Sequence, residues 1–223
     1  MTTPVTTLPT DKKNVFIGAP DKKYSGGLVI GPPAEDPSLW PTGAAEPLNE
    51  VMDRLGMVSA GFIAKDGVTL SGVTSGDVVL DWNLDPIADL ESEDADTAKI
   101  IFAEYGREIV QKSIWGDDNV TVAENGELEI ARQKGIVRPH RSLIWDMKMS
   151  DGRRIRRFAP DASVKDIAEI VDAKSGIEQI DSTWTLFAGV EGRHVYTWIL
   201  PAEAATATTT TEETTEPSAT GGE

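Results

Sequence analysis

The sequence predicts a mainly β protein, an antiparallel β-sandwich or barrel with one good helix packed on it and an extended N-terminal arm. The 223 residues include 20 glycines and 13 prolines, which suit many turns rather than long uninterrupted helices. Several short segments alternate apolar and polar residues, as strands with one buried face do. Only one segment has a clear helical spacing of apolar residues. We therefore expect one domain that is built mainly from strands around one core.

The clearest helix is predicted for residues 44–55. Its apolar residues fall at i, i+3, i+4 and i+7, and they are Leu48, Val51, Met52 and Leu55. This spacing places them on one face of a helix, and Gly56 provides the end. A second, short helix is predicted for residues 107–115, where Gly116 stops it.

The remaining periodic segments predict strands that are joined by tight turns. Turn-forming residues at 65–67, 150–152 and 191–192 predict three chain reversals. The apolar run within 99–105 fits either a strand or a helix, and we expect a strand. The predicted strands are 57–63, 68–71, 77–84, 99–105, 126–132, 138–149, 153–159, 164–171, 179–189 and 193–200.

Composition divides the chain into three parts. Residues 1–42 are rich in proline and paired glycines and predict an extended arm with strand-like pieces, and residues 43–200 predict the β-sandwich domain. Residues 201–223 hold eight threonines and five glutamates, but no Lys, no Arg and no apolar residue larger than alanine. Such a segment buries too little surface to offset its ordering entropy, so we expect a disordered tail.

The charge and the rare residue types exclude several functions. A formal charge of −16 opposes binding of nucleic-acid phosphates, although an acidic channel would let DNA pass without holding it. The sequence has no cysteine, and its two histidines, His140 and His194, are far apart. No disulfide, thiolate site or cysteine nucleophile is therefore possible, and a histidine metal site would need long-range assembly. No apolar run approaches the ~20 residues that cross a bilayer, and the start lacks a signal peptide, so we expect synthesis in the cytosol.

No motif indicates catalysis. The phosphate-binding glycine loops and the nucleophile elbow of hydrolases do not occur in the sequence. Residues 89–96 resemble a calcium loop, but the glycine at its sixth position is missing and Ile100 stands where a bidentate glutamate belongs. A solvated loop or a charged interface is the favoured interpretation of that stretch. We expect no enzyme, no cofactor and no metal.

Charge is segregated along the chain. Residues 81–96, here called the acidic segment, hold seven acids and no base, whereas residues 132–157, the basic segment, hold nine of the 21 bases. The basic residues are either exposed charges that protect a sheet edge, or they meet the acidic segment of a neighbouring copy. In the second case the contact is head-to-tail and makes rings or filaments. The candidate contact residues are Arg153, Arg154, Arg156, Arg157, Asp85, Asp89, Glu91, Glu93, Asp94, Asp96 and Trp40.

A series of seven short segments occurs in order along the chain. The segments are Gly26-Gly27 to Gly31-Pro32, Leu39-Trp40-Pro41-Thr42, Leu55-Gly56-Met57-Val58-Ser59, Asp66-Gly67-Val68-Thr69, Asp81-Trp82, Ile114-Trp115-Gly116-Asp117-Asp118-Asn119-Val120 and Asp151-Gly152-Arg153-Arg154. This ordered series resembles a known family, the major tail proteins, or tail tube proteins, of long non-contractile-tailed phages, particularly those that infect actinobacteria. The resemblance covers about residues 14–200, and the chain departs from the family at 60–65, which resembles an insertion, and at Trp40, which is unusual before the helix.

The resemblance implies a β-sandwich subunit that forms hexameric rings. Neighbouring subunits would contribute strands to a continuous inner barrel, and the rings would stack into a tube around the tape measure protein, through which genomic DNA is ejected. The implied partners are other copies of the chain, the tape measure protein, and the tail terminator and distal tail proteins. The protein would be assembled in the host cytoplasm and located in the virion tail, without a membrane partner.

Three alternatives remain open from the sequence. A monomeric β-sandwich could bind carbohydrate through exposed tryptophans and aspartates, and a pair among the 37 acids could serve a glycoside hydrolase. Another ring-forming virion protein, such as a head decoration protein, would share the structural role.

Overall fold

The computed structural model describes residues 19–20, 27–80, 86–132, 135, 137–149, 152–170 and 178–201. Within these ranges, the side chains of residues 19–20 and 73–95 are outside the description. Among the described residues, no helix is both long and apolar enough to cross a bilayer.

The described chain folds into eleven strands and two α-helices. The strands are β1 (Ala19–Pro20), β2 (Leu28–Gly31), β3 (Val58–Ser59), β4 (Ile63–Leu80), β5 (Pro86–Phe102), β6 (Val120–Val122), β7 (Leu128–Ile130), β8 (Arg141–Lys148), β9 (Arg154–Ile167), β10 (Ile180–Phe187) and β11 (Tyr196–Leu200). The helices are α1 (Leu48–Leu55) and α2 (Glu108–Trp115), and short 3-10 helices occur at Pro37–Leu39 and Asp117–Asn119.

Nine of the strands form one antiparallel sheet. Its main path runs β3-β2-β8-β9-β10-β5-β4, while β1 pairs with β8 and β11 pairs with β9. Strands β6 and β7 form a separate two-stranded sheet. The prediction of a mainly β, antiparallel fold is confirmed.

Each face of the sheet carries a buried apolar cluster. One face carries Leu28, Leu143 and Trp184, and it packs against α2. The opposite face carries Val29, and its apolar cluster includes residues of α1. Since successive strand residues point to opposite faces, the continuous apolar run of β2 is what a strand buried on both sides requires.

This burial corrects the predicted boundary of the N-terminal arm. Strand β2 is completely buried and pairs with β3 on one side and β8 on the other, so it is an internal strand and not part of an arm. Residues 15–17, the other apolar piece of the predicted arm, lie outside the described residues. The folded domain therefore begins before residue 43.

Helix α1 is confirmed, but it begins four residues later than predicted. Pro47 occupies the N-cap, and Leu48 is the first helical residue. A proline disfavours helical geometry in the residue before it, so Glu46 cannot belong to the helix. At the other end Gly56 adopts a left-handed conformation with φ of 62°, and its N–H donates to the carbonyl of Met52.

Helix α2 agrees with the prediction to within one residue at its N-terminus and ends before Gly116 as expected. It packs Val110 and Ile114 against the sheet. Two polar side chains on its buried face are satisfied locally, because Gln111 donates to the carbonyl of Tyr105 and Ser113 donates to that of Ile109.

Strands β4 and β5 form one long hairpin, which differs from the prediction. The expected turn at 65–67 is a bulge, because Ile63 pairs with Phe102 while Val68 already pairs with Ile100. Gly67, with φ of 69°, permits this bulge. The predicted strands 68–71 and 77–84 are consequently one strand as far as Leu80, and residues 81–85 lie outside the description.

The strands at the C-terminal end are also arranged differently. The two predicted strands 153–159 and 164–171 form a single strand, β9, that ends at Ile167. The hairpin between β8 and β9 is confirmed. Strand β11, however, pairs with the first half of β9 while β10 pairs with its second half, so β10 and β11 both lie along the same side of β9.

Candidate functional site

The arginines of β9 alternate between two environments, as a strand requires. Arg156 points toward the face that packs on α1, and it is completely buried. Its guanidinium binds the buried carboxylate of Asp146 through two bonds of 2.9 and 2.8 Å and donates a third to the carbonyl of Gly43 at 3.1 Å. This is a bidentate ion pair within one chain. The candidacy of Arg156 as an intersubunit contact is therefore corrected to a structural role.

Arg154 lies on the same face as Arg156. One of its guanidinium nitrogens is 3.4 Å from the carbonyl oxygen of Ala44 and 4.0 Å from a carboxylate oxygen of Asp146, and the side chain is mostly covered. Arg154 therefore extends the internal network that joins β8, β9 and the segment before α1.

Arg153 and Arg157 point to the opposite side and remain partly exposed. Strand β9 is flanked by β8 on one side and β11 on the other at this position. The alternative in which these arginines protect a sheet edge is therefore wrong, because β9 is an internal strand.

Trp40 is part of the core. Its indole N–H donates to the carbonyl of Ala34 at 3.0 Å, and its ring packs edge-on against Phe158 and Tyr196 at centroid distances of 5.7 and 5.2 Å. The prediction of Trp40 as a contact residue is corrected, since its surface is already covered within the chain. The sequence around Trp40 is rich in proline and did not indicate that this side chain is buried. Its burial depends on residues of the distant strands β9 and β11.

The described part of the acidic segment, residues 86–96, lies in strand β5 rather than in a loop. Residues 86–96 of this segment are extended, and their only described strand partner before Asp96 is β4. Asp85 is outside the described residues, and the side chains of the other candidate acids before Asp96 are outside the description. Those acids are Asp89, Glu91, Glu93 and Asp94. Asp96 is half-buried, with one carboxylate oxygen 3.3 Å from Nδ1 of His194.

Residues 73–80 and 86–95 extend beyond the body of the sheet and are called here the distal hairpin. Strand β10 contacts β5 only from Asp96 to Phe102, so the distal hairpin has no third strand among the described residues. At the strand rise of roughly 3.3 Å per residue, its ten residues on β5 reach about 30 Å past the sheet. An arm of this length on a small domain presents a large surface to other molecules.

The register places the distal hairpin and the arginines of β9 at one end of the sheet. Asp96 pairs with Leu186, and Leu186 pairs with Ala162 of β9. From this row the distal hairpin and the arginines of β9 both lie in the same direction along the strands. The structure therefore brings the distal hairpin and the arginines of β9 to a common end, although no described strand pairing joins them.

Among the described strands, the main path of the sheet ends at β3 and at β4, and sequence reasoning missed the exposed apolar residues near these ends. Phe62, between β3 and β4, is 68% exposed, and Val58 on β3 is 47% exposed. The backbone beneath is held firmly, because the N–H of Phe62 donates to Glu104 at 2.7 Å and Arg107 bonds the same carboxylate at 2.7 Å. The sequence did contain an indication of this exposed apolar surface, because the apolar Phe62 stands in a segment whose other residues are typical of turns.

The electrostatics of this edge favour an ionised Glu104. Partial burial raises the pKa of its carboxyl, but the hydrogen bond and charge of Arg107 and the N–H of Phe62 outweigh burial and lower the pKa overall.

The pKa of Tyr196, on β11, is shifted upward instead. Burial, followed by the hydrogen bond that it donates to Glu191 at 2.7 Å, raises the pKa of Tyr196 to about 12.

Within the described ranges, no group of three or more His, Asp or Glu side chains is placed to hold a metal ion. Comparisons with known protein-family models and with curated proteins find no match for this chain.

Proposed function

We propose that this protein is a structural subunit that polymerises, as stacked hexameric rings, into a phage tail tube through which the genome is ejected. The observation that carries the proposal is the long open edge of the sheet. Strand β4 has 18 residues and ends the sheet, with no described strand on its outer side. A strand edge of this length leaves backbone groups that a second copy can pair with.

The opposite edge of the sheet supports a head-to-tail arrangement. The main path ends at β3 on one side and at β4 on the other, so the two edges differ. Contact between two different surfaces of identical copies is heterologous, and it produces a closed ring when the rotation matches. The number six comes from the resemblance to tail tube proteins.

Exposed apolar side chains lie beside these edges. Phe62 and Val58 are exposed on a backbone that Glu104 and Arg107 hold in place. Apolar groups on a rigid surface favour association, because little conformational entropy is lost when a partner covers them.

The charge of the chain fits a passage for DNA. With a formal charge of −16, the assembled tube offers few cationic sites at which the DNA backbone would be held. The proposal includes the tape measure protein in the lumen and the tail terminator and distal tail proteins at the ends. It includes no catalysis, no cofactor and no membrane.

The test is direct observation of the purified protein over a range of concentrations. Light scattering after size-exclusion chromatography should show growth into large particles, and negative-stain microscopy should show hollow tubes. Single rings that never stack would favour a head decoration or other ring-forming protein. A monomer at every concentration would refute self-assembly.

Among the residues that the structure describes, nothing favours the carbohydrate-binding alternative. The five described tryptophans, which exclude Trp82, are all buried or half-buried, so none presents an open ring for a sugar.

A further inference from the structure

A cavity of 380 Å³ opens on the sheet face opposite α1. Its floor includes Leu28, Trp145 and Arg157, which are directly paired on the adjacent strands β2, β8 and β9. Its wall is the bulge of β4 between Ile63 and Val68. The volume lies within the range of small-molecule sites, about 300 to 1,000 Å³. We call it the Trp145 cavity.

The bulge of β4 gives the cavity its wall. Ile63 pairs with Phe102, and the next paired residue, Val68, pairs with Ile100, so residues 64–67 have no partner on β5. Five steps along β4 therefore correspond to two along β5, and the extra residues must leave the line of the strand. The wall is consequently fixed by the backbone and does not depend on the position of one side chain.

Two side-chain donors are neighbours on the floor of the cavity. Trp145 and Arg157 lie opposite each other on β8 and β9, and the Cβ atoms of such a pair are about 5 Å apart. Trp145 is only 4% exposed, and its buried indole N–H has no acceptor among the described residues. Since buried donors are nearly always satisfied, this N–H indicates an acceptor that binds in the cavity.

The cavity also carries positive charge in a strongly acidic protein. Arg157 is half-buried in its lining and Lys65 is exposed at its mouth, and neither has a carboxylate partner among the described residues. Two acids also line the cavity, but the carboxylate of Asp146 is bound by Arg156, which leaves Asp66 against two cations. This balance favours an anionic ligand.

Much of the remaining lining is apolar. Ile63, Val68 and Met147 contribute to it together with Leu28 and the ring of Trp145. An apolar group gains free energy when such walls remove it from water, whereas a bare inorganic anion gains nothing from them. A carboxylate offers a negative charge and two acceptor oxygens, which suit two neighbouring donors. The lining therefore favours an organic carboxylate over an inorganic anion.

We propose that the Trp145 cavity is a binding site for a small organic carboxylate. The carboxylate oxygens accept hydrogen bonds from the indole N–H of Trp145 and the guanidinium of Arg157, and the apolar body of the ligand lies on the floor of the cavity. Lys65 adds attraction at the mouth. This proposal goes beyond the proposed function and is independent of tube formation.

Isothermal titration calorimetry of the full chain with phenylacetate tests the proposal, because it counts bound ligand whether the protein is a monomer or a polymer. One phenylacetate should bind per chain. Phenylacetamide has the same shape without the charge, so it should bind at least about tenfold more weakly. Acetate keeps the charge but lacks the ring, and it should also bind more weakly than phenylacetate.

Variants of the two donors connect this binding to the cavity. Trp145→Phe removes the N–H but keeps an aromatic ring, and Arg157→Gln removes the charge at a half-buried position. Each should weaken phenylacetate binding by roughly fivefold or more and change phenylacetamide binding less. Trp198→Phe and Arg132→Gln are the matched controls, because both residues lie outside the cavity lining and should leave binding unchanged. Circular dichroism checks that each variant is folded, and Arg157→Gln suffices if Trp145→Phe does not fold.

Photo-cross-linking with 4-benzoylbenzoate locates the site directly. Peptide mapping by mass spectrometry should find the label within residues 63–68 or 145–147, and excess phenylacetate should remove it. The proposal is overturned if neither acid binds below about 10 mM, if phenylacetamide binds as tightly as phenylacetate, or if the label lies elsewhere. Unchanged binding in Arg157→Gln would also overturn it. Water or another part of the protein would then supply the acceptor for the indole of Trp145.

Discussion

Asp146 and Arg156 form a buried ion pair, whose two charges must both be removed from water when the protein folds. Both side chains are buried, and each is exposed to solvent by 1% or less. Removing two charges from water is expensive, and the bidentate bonds compensate for it only while both partners are present. The pair therefore joins β8 to β9 and, through Gly43, to the segment before α1.

Asp146→Ala should destabilise the protein by about 3 to 5 kcal/mol, because it leaves a buried guanidinium without its partner. Denaturant unfolding followed by circular dichroism measures the change. Asp181→Ala is the matched control, since its partner Lys99 is half exposed, and it should cost no more than about 1 kcal/mol. Equal losses in the two variants would contradict the structural role of the buried pair.

Tyr196 should titrate well above an ordinary tyrosine. Its pKa is raised from 10.0 to about 12 by burial and by its hydrogen bond to Glu191. Because the folded pKa exceeds the unfolded one, this stabilisation is complete below about pH 10 and disappears as the pH rises toward 12. Absorbance at alkaline pH should show one late-titrating tyrosine that Tyr196→Phe removes.

Glu191→Gln provides the complementary test of the same residue. The variant removes the negative charge beside the phenol, so the pKa of Tyr196 should fall toward its ordinary value. A late titration that persists in both variants would assign it to another tyrosine.

The distal hairpin is the element at which folding and the proposed assembly can be tested separately. Its two strands pair only with each other among the described residues, whereas β5 joins the rest of the sheet from Asp96 onward. The hairpin can therefore be shortened without touching the cores.

Replacing residues 74–94 by Asn-Gly should leave a folded monomer that forms no tubes. Val73 pairs with Ala95, and a two-residue Asn-Gly turn fits between paired antiparallel strands. The melting temperature should stay within about 5 °C of the parent, since the removed strands pair only with each other among the described residues. Negative-stain microscopy measures assembly, and tubes of normal appearance would contradict a role for the hairpin.

The elements also differ in how well the sequence predicted them. Helix α1 and strands β7 and β8 have regular apolar spacing and clear ends, and their types were predicted correctly. The turn at 65–67 has good turn residues, yet it is a bulge, because the same strand continues to pair with β5 on both sides of it. Local turn propensity does not reveal which strand lies opposite.

At the scale of the whole molecule, the charge pattern should control association between copies. The distal hairpin and the arginines of β9 lie at the same end of the sheet, but Arg156 and Arg154 are engaged within the chain. Reversing the charges of Arg153, Arg154, Arg156 and Arg157 together would therefore unfold the protein, and the acidic side offers the cleaner test.

Asp89→Lys, Glu91→Lys and Glu93→Lys combined should block tube growth and leave the monomer folded. These residues lie on the distal hairpin, where new positive charge would face the basic segment of a neighbour. The matched control is Glu124→Lys, Glu127→Lys and Glu129→Lys, which makes the same charge change at exposed positions around β6 and β7. If both variants assemble alike in light scattering and microscopy, the charge contact is refuted.

The sequence by itself determined the fold class, the two helices, the β8 to β9 hairpin and the acidic character of the protein. These follow from local spacing, turn residues and composition, which act over a few residues. Only the tertiary structure decided that Leu28–Gly31 is an internal strand, that Trp40 and Arg156 are buried, and that β4 ends the sheet with an open edge. Burial and edge position depend on which distant strands pair, and the residues of a strand carry no local mark of the partner that covers them.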